Sequence, residues 1–203
     1  MVTLINYGLG NIQAFANTYR LGNIPYKIAN TVDDLKEVDR LILPGVGSFD
    51  WAMDKLNCSG MRDRIDELVL VEKKKVLGVC VGMQIMASRS EEGELPGLGW
   101  IKGRVRQLTT LHSGENFFLP HMGWNSVKAA VENSLLQGID DSNFYFLHSY
   151  FFQTEDSSNI LATSEYHVTF PSAVFNENIF GVQFHPEKSH HWGKELLIKF
   201  ANL

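Results

Sequence analysis

A cysteine between two glycines, at the end of a short apolar segment, constrains the fold more than any other feature of the sequence. Residues 76–79 form the apolar segment, and Cys80 follows with Gly78 and Gly82 two positions to either side. A short apolar run of this kind predicts a buried strand. The glycines permit a sharp turn without Cβ clashes. The pattern therefore predicts that Cys80 stands where a sheet strand turns into a helix.

The first half of the chain alternates between strand-like and helix-like segments. We predict strands at residues 2–6, 25–29, 40–43 and 76–79. Apolar residues at helical spacing predict helices around residues 12–21, 49–56 (with Ser48 as N-cap) and 61–69, and from Met83 onward. This alternation is typical of a parallel sheet with helices on both faces.

The second half contains a series of predicted strands joined mostly by short polar turns. They lie at residues 100–108, 116–119, 124–128, 143–149, 159–165, 172–176 and 179–184, and a last helix follows with Trp192, Leu196 and Phe200 on one face. Short turns favour antiparallel additions to the parallel core. With no internal repeat or credible linker, residues 1–203 are predicted to form one α/β domain with a doubly wound, flavodoxin-like mixed sheet.

Charge and cysteine content argue against several classes of protein. The net charge of −5 disfavours a general nucleic-acid or anionic-membrane partner. The apolar run at residues 76–86 is too short to span a bilayer, and the sequence begins without the basic segment of a signal peptide. Two cysteines do not make a disulfide framework. We therefore expect a cytoplasmic protein that contains no metal or other cofactor.

A cysteine at the start of a helix is well placed for nucleophilic chemistry. The positive end of the helix favours the thiolate, and the amide N–H of Val81 can bind a developing oxyanion. His185 follows a predicted strand and can serve as the base. Glu187, two residues further along an extended segment, is expected on the same side, where it orients the imidazole. The simpler alternatives are a buried, inert cysteine and an ordinary histidine at a strand end.

The loop at residues 44–47, Pro-Gly-Val-Gly, follows the third predicted strand. In a doubly wound sheet, ligands bind beyond the carboxyl ends of the strands, so this loop should lie beside Cys80. Its two glycines allow peptide N–H groups to turn toward a ligand. A tight turn with a purely structural role is the alternative.

Several motifs occur in order along the chain: the turn at Cys80 with Gln84, the loop at 44–47, and residues 6–11, 121–125, 145–150 and 182–189. Together they resemble the class I (triad) glutamine amidotransferases, and within that family the glutaminase subunits of imidazole glycerol phosphate synthases. The resemblance covers essentially the whole chain. It implies an enzyme that hydrolyses the side-chain amide of glutamine and supplies ammonia to a partner.

The resemblance also implies roles for individual residues. Cys80 would be the nucleophile, His185 the general base and then acid, and Glu187 the residue that orients it. The oxyanion would be bound by Val46 and Val81, and glutamine by Gly45, Gly47, Gln84, Ser149 and Tyr150. In this family the loop at 44–47 is thought to reorient when the partner is loaded. A single missing oxyanion donor costs about 3 kcal/mol in comparable sites.

The implied partner is a (β/α)₈ cyclase subunit, joined as a heterodimer and receiving NH₃ through a dry passage. The face that meets it would include Asn11, Trp124, Tyr145 and Lys188. Alternatively, Trp124 and Tyr145 are core aromatics and Lys188 is a solvated charge.

Two segments, at residues 91–100 and 189–193, differ from the histidine-pathway pattern. They are more similar to a paralogous group in which ammonia is thought to reach a sugar nucleotide for surface polysaccharide. A third hypothesis is a catalytically silent regulatory subunit. It is disfavoured because Cys80, His185, Glu187 and both glycines of the turn are present.

Overall fold

The computed structural model describes residues 1–111 and 118–203. The strands of the described residues are β1 (Val2–Ile5), β2 (Tyr26–Ala29), β3 (Arg40–Gly45), β4 (Lys75–Cys80), β5 (Arg89–Ser90), β6 (Gly103–Gln107), β7 (His121–Ser126), β8 (Lys128–Ala129), β9 (Asn143–His148), β10 (Tyr150–Thr154), β11 (Ile160–Tyr166), β12 (Val168–Asn176) and β13 (Ile179–Val182).

The largest sheet has eight strands in the order β2-β1-β3-β4-β13-β12-β11-β8. The first five run parallel, because β1 pairs in parallel with both β2 and β3, and β4 pairs in parallel with both β3 and β13. The remaining three continue the sheet with antiparallel pairing. This confirms the doubly wound, flavodoxin-like core with antiparallel additions. Smaller sheets join β10, β6 and β5, and β7 with β9.

The α-helices are α1 (Ile12–Leu21), α2 (Phe49–Cys58), α3 (Arg62–Asp66), α4 (Val81–Gln84) and α5 (His190–Asn202), and α3 continues as a π-helix at Glu67–Val71. α1 buries Ile12, Phe15, Ala16 and Tyr19, the apolar positions that predicted it. Among the described residues, no helix is both long and apolar enough to cross a membrane.

Ser48 occupies the N-cap position of α2 as predicted, but its side chain makes no capping hydrogen bond. The first-turn amide of Phe49 instead donates to Glu92 Oε2 at 2.9 Å. The cap of α2 is therefore a carboxylate from a distant loop, which also complements the positive end of the helix.

The helix predicted from Met83 onward is wrong in extent, because α4 ends at Gln84. The carbonyls that would continue it are bonded elsewhere: Leu98 N–H donates to Ile85 O at 2.8 Å, and Gly99 N–H donates to Ala87 O at 3.0 Å. Tertiary hydrogen bonds thus replace the helical ones. Met83, Ile85 and Met86 are nevertheless buried, which accounts for their apolar pattern.

The second-half strands lie close to the predicted ones, with four main differences. β12 begins at Val168 rather than at residue 172. The strand predicted at 116–119 falls partly outside the described residues, and Phe118 and Leu119 belong to no strand. The strand predicted at 124–128 begins earlier, at His121. β10 was not predicted at all; it follows β9 after the single residue Ser149 and enters a different sheet.

Candidate active site

The turn at Cys80 has the strained backbone expected of a nucleophile elbow. Cys80 adopts φ 55° and ψ −116°, a left-handed conformation that a cysteine rarely takes. Gly82 sits so close to β3 that a Cβ there would collide with the carbonyl oxygen of Leu43. A Cβ on Gly78 would lie 2.7 Å from the carbonyl oxygen of Gly82. Backbone packing against β3 thus fixes the position of the sulfur.

The helix dipole contributes less to this site than the sequence indicated. α4 contains four residues, and the partial charge at a helix end depends on several aligned peptide units. Side chains must therefore supply more of the electrostatic support for a thiolate. Two side chains are placed to do so: His185, which lines the same cavity as Cys80, and Gln183, whose Nε2 lies 3.8 Å from Cys80 Sγ.

His185 and Glu187 form a buried pair beside Cys80. His185 Nδ1 and Glu187 Oε1 are 2.8 Å apart, and both side chains are 3% exposed. Nδ1 is taken by the carboxylate, so Nε2 is the nitrogen available to the sulfur. Burial lowers the pKa of His185, but hydrogen bonds to Cys80 and Glu187 and the charges of both raise it to about 10. The surroundings of the ring therefore favour its protonated form.

The premise that placed Glu187 on an extended segment is wrong, although the two residues do meet. Pro186–Lys188 is a 3-10 turn, so Glu187 folds back toward the ring rather than following along a strand. Proline at the start of such a turn costs no hydrogen bond, because its missing N–H would be unpaired there.

The backbone of His185 is also tied to β9. His185 N–H donates to Tyr145 O at 2.8 Å. Ser189 Oγ donates to His185 O at 2.6 Å and accepts from Tyr145 N–H at 2.9 Å. The position of His185 therefore depends on the two-stranded antiparallel sheet of β7 and β9.

Cys80 and His185 open onto a cavity of about 300 Å³. Its lining residues are Val46, Gly47, Cys80, Val81, Gln84, Glu92, Pro120, Leu147, His148, Ser149, Tyr150, His185 and Lys188. The structure thus brings both candidate oxyanion residues and four of the five candidate glutamine-binding residues to one cavity. Gly45 is outside this lining; it is buried, and a Cβ on it would collide with the backbone of Gly82.

Glu92 lines the cavity but carried no signal in the sequence beyond an acidic loop residue. Burial raises the pKa of Glu92, the amide of Phe49 lowers it, and the charge of Asp50 raises it again, with a net upward shift. Because the carboxylate is half-buried beside a helix N-terminus, it is fixed in place at the cavity wall. An acidic group there suits a positively charged part of a ligand.

Tyr7 anchors the first residue of the loop at 44–47 from the protein interior. Its buried hydroxyl donates to Pro44 O at 2.6 Å. Beyond that bond the loop turns outward, since Val46 is 40% exposed and Gly47 has φ 92°. The loop is therefore anchored at its first residue and free to present its later amides to the cavity.

A buried hydrogen-bond network converges on the backbone carbonyl of Tyr150. Gln84 Nε2 donates to it at 3.1 Å, and His148 Nδ1 lies 2.8 Å from it. His148 Nε2 is in turn 2.9 Å from His121 Nδ1. Burial lowers the pKa of His121 to about 4. Burial also lowers the pKa of His148 to about 3, against the hydrogen bond to Tyr150 O.

The candidate interface residues occupy the surface around the cavity. Trp124 is 49% exposed and stacks on His190, with ring centroids 5.1 Å apart. Lys188 lies over the Tyr145 ring at 5.8 Å. Asn11 caps α1 by accepting from Ala14 N–H at 3.2 Å, and α1 packs against the turn that carries Lys188. The two aromatic residues are thus not core residues; Trp124 is exposed and Tyr145 is half-buried.

Within residues 1–111 and 118–203, no group of three or more histidine, cysteine, aspartate or glutamate side chains could hold a metal ion. Both cysteines are free thiols. Cys58 is exposed, whereas Cys80 is buried with 4% exposure.

Comparison with known proteins places this geometry in a family. Residues 4–202 match the family described as glutamine amidotransferase class-I. Proteins named imidazole glycerol phosphate synthase subunit HisH are similar along their full length: that of Bdellovibrio bacteriovorus is 50% identical and that of Leptospira borgpetersenii 47%, each over 100% of both chains. A solved structure titled as a glutamine amidotransferase has the same fold, with a TM-score of 0.75, 17% identity, and coverage of 100% of this chain and 99% of that one.

The family match spans nearly every residue, and the relatives exceed the identity at which membership is secure. Cys80, at the end of a central strand of the large sheet, and His185 line one cavity of this fold. The chain belongs to the class I glutamine amidotransferases.

Proposed function

We propose that this chain is the glutaminase subunit of an imidazole glycerol phosphate synthase and hydrolyses glutamine to glutamate and ammonia for a histidine-pathway partner. The observation that carries the proposal is that Cys80 and His185 line one cavity, with His185 paired to the buried Glu187, in a chain whose full-length relatives bear that name. The thiolate, the imidazolium and the orienting carboxylate are the groups that amide hydrolysis through a thioester requires.

In the first half of the reaction, the Cys80 thiolate attacks the side-chain amide carbon of glutamine. The carbonyl π electrons move to oxygen, where the amides of Val46 and Val81 stabilise the oxyanion. His185 donates its Nε2 proton to the departing nitrogen as the C–N bond breaks. Ammonia leaves, and a γ-glutamyl thioester remains on the sulfur.

In the second half, a water molecule replaces ammonia. His185, now neutral, accepts a proton from the water as it adds to the thioester carbon. The C–S bond then breaks, its electron pair returns to the sulfur, and glutamate is released. Glu187 holds the same ring nitrogen throughout, so His185 acts on both halves from one orientation.

The cavity wall offers complementary groups for the rest of the substrate. Both hydrogens of Gln84 Nε2 are taken, by Tyr150 O and by Gln183 Oε1, so Gln84 can only accept hydrogen bonds from a ligand. We assign Glu92 to the α-ammonium group of glutamine and Gly47, Ser149 and Tyr150 to its remaining polar atoms. Gly45 does not reach the cavity; its close backbone contact with Gly82 holds the turn at Cys80 against β3.

We further propose a heterodimer with a (β/α)₈ cyclase subunit in the cytoplasm. The surface around the cavity carries exposed apolar side chains, with Met122 65% exposed, Trp124 49% and Leu147 38%. Apolar and aromatic groups of this kind are enriched in the centres of protein interfaces. Asn11, Tyr145 and Lys188 complete the proposed contact face. Passage of NH₃ directly into the partner avoids its protonation to ammonium, which is not a nucleophile.

Copurification with the cognate cyclase-type subunit, followed by assays of the complex, tests this proposal. We expect the ribonucleotide intermediate of histidine synthesis to stimulate glutamine hydrolysis, and a keto-sugar nucleotide to have no effect. The Cys80→Ala complex should lose glutamine-dependent activity and keep ammonia-dependent activity. Stimulation by the sugar nucleotide alone would point to the polysaccharide alternative, and glutamine turnover by Cys80→Ala would contradict the mechanism.

A further inference from the structure

We infer that Gln183 is a further residue of the reaction, whose side-chain N–H group is directed at the Cys80 sulfur and stabilises it whenever it carries negative charge. The inference rests on the proposed role of Cys80 as nucleophile. Gln183 Nε2 lies 3.8 Å from Cys80 Sγ, and the Gln183 side chain is completely buried.

The position of Gln183 follows from the strand that also delivers the base. Its backbone N–H donates to Ser172 O at 2.9 Å, so it extends the pairing of β13 with β12 beyond Val182. The chain bends after Val182, so the placement of Gln183 rests on its contact with the sulfur and not on strand alternation. Gln183 and His185, which shares the cavity lining with Cys80, both come from this one short segment.

The direction of the hydrogen bond is fixed by a backbone group. Tyr150 O can only accept, so the amide nitrogen of Gln84 must face it, at 3.1 Å. The second hydrogen of that nitrogen is donated to Gln183 Oε1 at 3.0 Å. With its oxygen committed to Gln84, Gln183 must present its nitrogen to Cys80. A chain of three hydrogen bonds thus ends with a donor at the sulfur.

A donor in this position acts selectively along the reaction. An N–H group interacts strongly with an anionic sulfur and weakly with the neutral sulfur of a thioester. The bond is therefore strongest in the thiolate that attacks glutamine and when C–S cleavage returns an electron pair to the sulfur. It is weakest in the acylated intermediate between these steps. Gln183 accordingly favours both the attacking thiolate and its later departure.

The same chain of bonds positions Gln84. Because Gln183 Oε1 and Tyr150 O hold both hydrogens of Gln84 Nε2, the Gln84 oxygen remains as its acceptor for a ligand in the cavity. Loss of the Gln183 side chain would free Gln84 to rotate. Gln183 thus has two separable effects, one on the sulfur and one on substrate binding.

Alkylation of Cys80 by iodoacetamide as a function of pH tests the effect on the sulfur without requiring glutamine. The full chain is used in a Cys58→Ser background, because Cys58 is exposed and would also react. Gln183→Met keeps the length of the side chain and removes both polar atoms. Gln183→Glu keeps the acceptor for Gln84 but, when ionised, has no donor for the sulfur. Ser172→Ala is the matched control, since Ser172 is completely buried on the neighbouring strand and its hydroxyl has no partner within the described residues.

We expect the midpoint of the alkylation profile to rise by about one pH unit in Gln183→Met, and alkylation at pH values well below the midpoint to slow about tenfold, because a hydrogen bond to a charged group is lost. Gln183→Glu should shift it at least as far while changing KM for glutamine less than Gln183→Met does. Ser172→Ala should match the parent profile.

An unchanged alkylation profile in either Gln183 variant, with a native thermal transition, would overturn the inference. If the Gln183 variants show these shifts but the parent protein does not hydrolyse glutamine, the proposed function is contradicted and the inference about the sulfur stands. The two failures are therefore distinguishable.

Discussion

Cys80 and His185, the proposed nucleophile and base, are held in place in different ways. In the nucleophile region, residues 75–84, backbone atoms of β3, β4 and α4 approach so closely that Gly82 has no room for a Cβ. In the base region, residues 179–190, the ring of His185 is held by Glu187 and its backbone by Tyr145 and Ser189. Steric contact fixes the first residue and hydrogen bonds fix the second.

This difference determines how each region responds to change. Close backbone contact leaves no room for an added side-chain atom, so a substitution at Gly78 or Gly82 in the nucleophile region damages the fold itself. Hydrogen bonds can be removed one at a time, so substitutions in the base region should alter activity in steps while the fold persists. Of the four predictions that follow, the first two test this distinction directly, and the other two test groups that surround the two regions.

Gly82→Ala should have the largest effect. Its Cβ would overlap the Leu43 carbonyl, which belongs to a central strand and cannot move away, so we expect the free energy of unfolding to fall by about 5 kcal/mol or more. Urea denaturation measures this. Gly22→Ala is the control: its nearest contact would be an ordinary 3.4 Å, and its stability should change little. A folded, active Gly82→Ala protein would show that the elbow is held less rigidly than described.

Glu187→Gln should break the base region without breaking the fold. A carboxamide cannot hold the imidazolium as a carboxylate does, so we expect kcat for glutamine hydrolysis to fall about a thousandfold, or about 4 kcal/mol. Thermal unfolding should stay near that of the parent protein. Glu177→Gln, which removes a surface ion pair with Lys73, should leave kcat unchanged. A large loss of stability in Glu187→Gln would contradict the distinction between the two regions.

Acid should destabilise the protein through His121 and His148. Burial holds the pKa of these side chains at about 4 and about 3 in the folded state. The unfolded chain, with a histidine pKa of about 6.5, therefore binds more protons as the pH falls, and stability present above pH 6.5 is lost. We expect a loss of about 2 kcal/mol per histidine between pH 7 and pH 5, measured by urea denaturation.

His121→Gln should remove about half of this loss, because one titrating group is gone. His191→Gln alters an exposed residue of α5 and should leave the loss intact. A flat dependence from pH 7 to pH 5 would mean that the two rings are not held neutral by burial.

Tyr7→Phe should have the smallest effect. It removes the hydroxyl that donates to Pro44 O and leaves a buried carbonyl without that partner, so we expect a loss of about 1 kcal/mol in unfolding free energy. Tyr26→Phe, at a half-buried residue, is the control and should be near neutral. No measurable difference between the two variants would show that the loop at 44–47 is anchored by other contacts.

The sequence predicts the parallel half of the fold, the turn at Cys80 and the contact of His185 with Glu187 well, because all three depend on local patterns. Apolar strands followed by amphipathic helices predict β1 to β4, and glycines beside Cys80 predict the elbow. His185 and Glu187 are two residues apart, so their proximity could be expected before either was located in space.

What the sequence does not predict depends on contacts between distant segments. α4 is shortened because Leu98 and Gly99 bond to its continuation, and neither residue carries a pattern that predicts this. Glu92 reaches the cavity by capping α2 from more than forty positions away. Gln183 lies only two residues before His185, but nothing local indicated that it pairs with Gln84.

The hydrogen bond from His185 N–H to Tyr145 O connects the backbone of His185 to a strand at the protein surface. Tyr145 belongs to β9, which is paired with β7, and β7 displays Met122 and Trp124 to solvent. A molecule that binds β7 and displaces β9 would therefore move the backbone of His185 without entering the cavity. The distance between the His185 ring and Cys80 is thereby coupled to whatever binds the exposed face of β7.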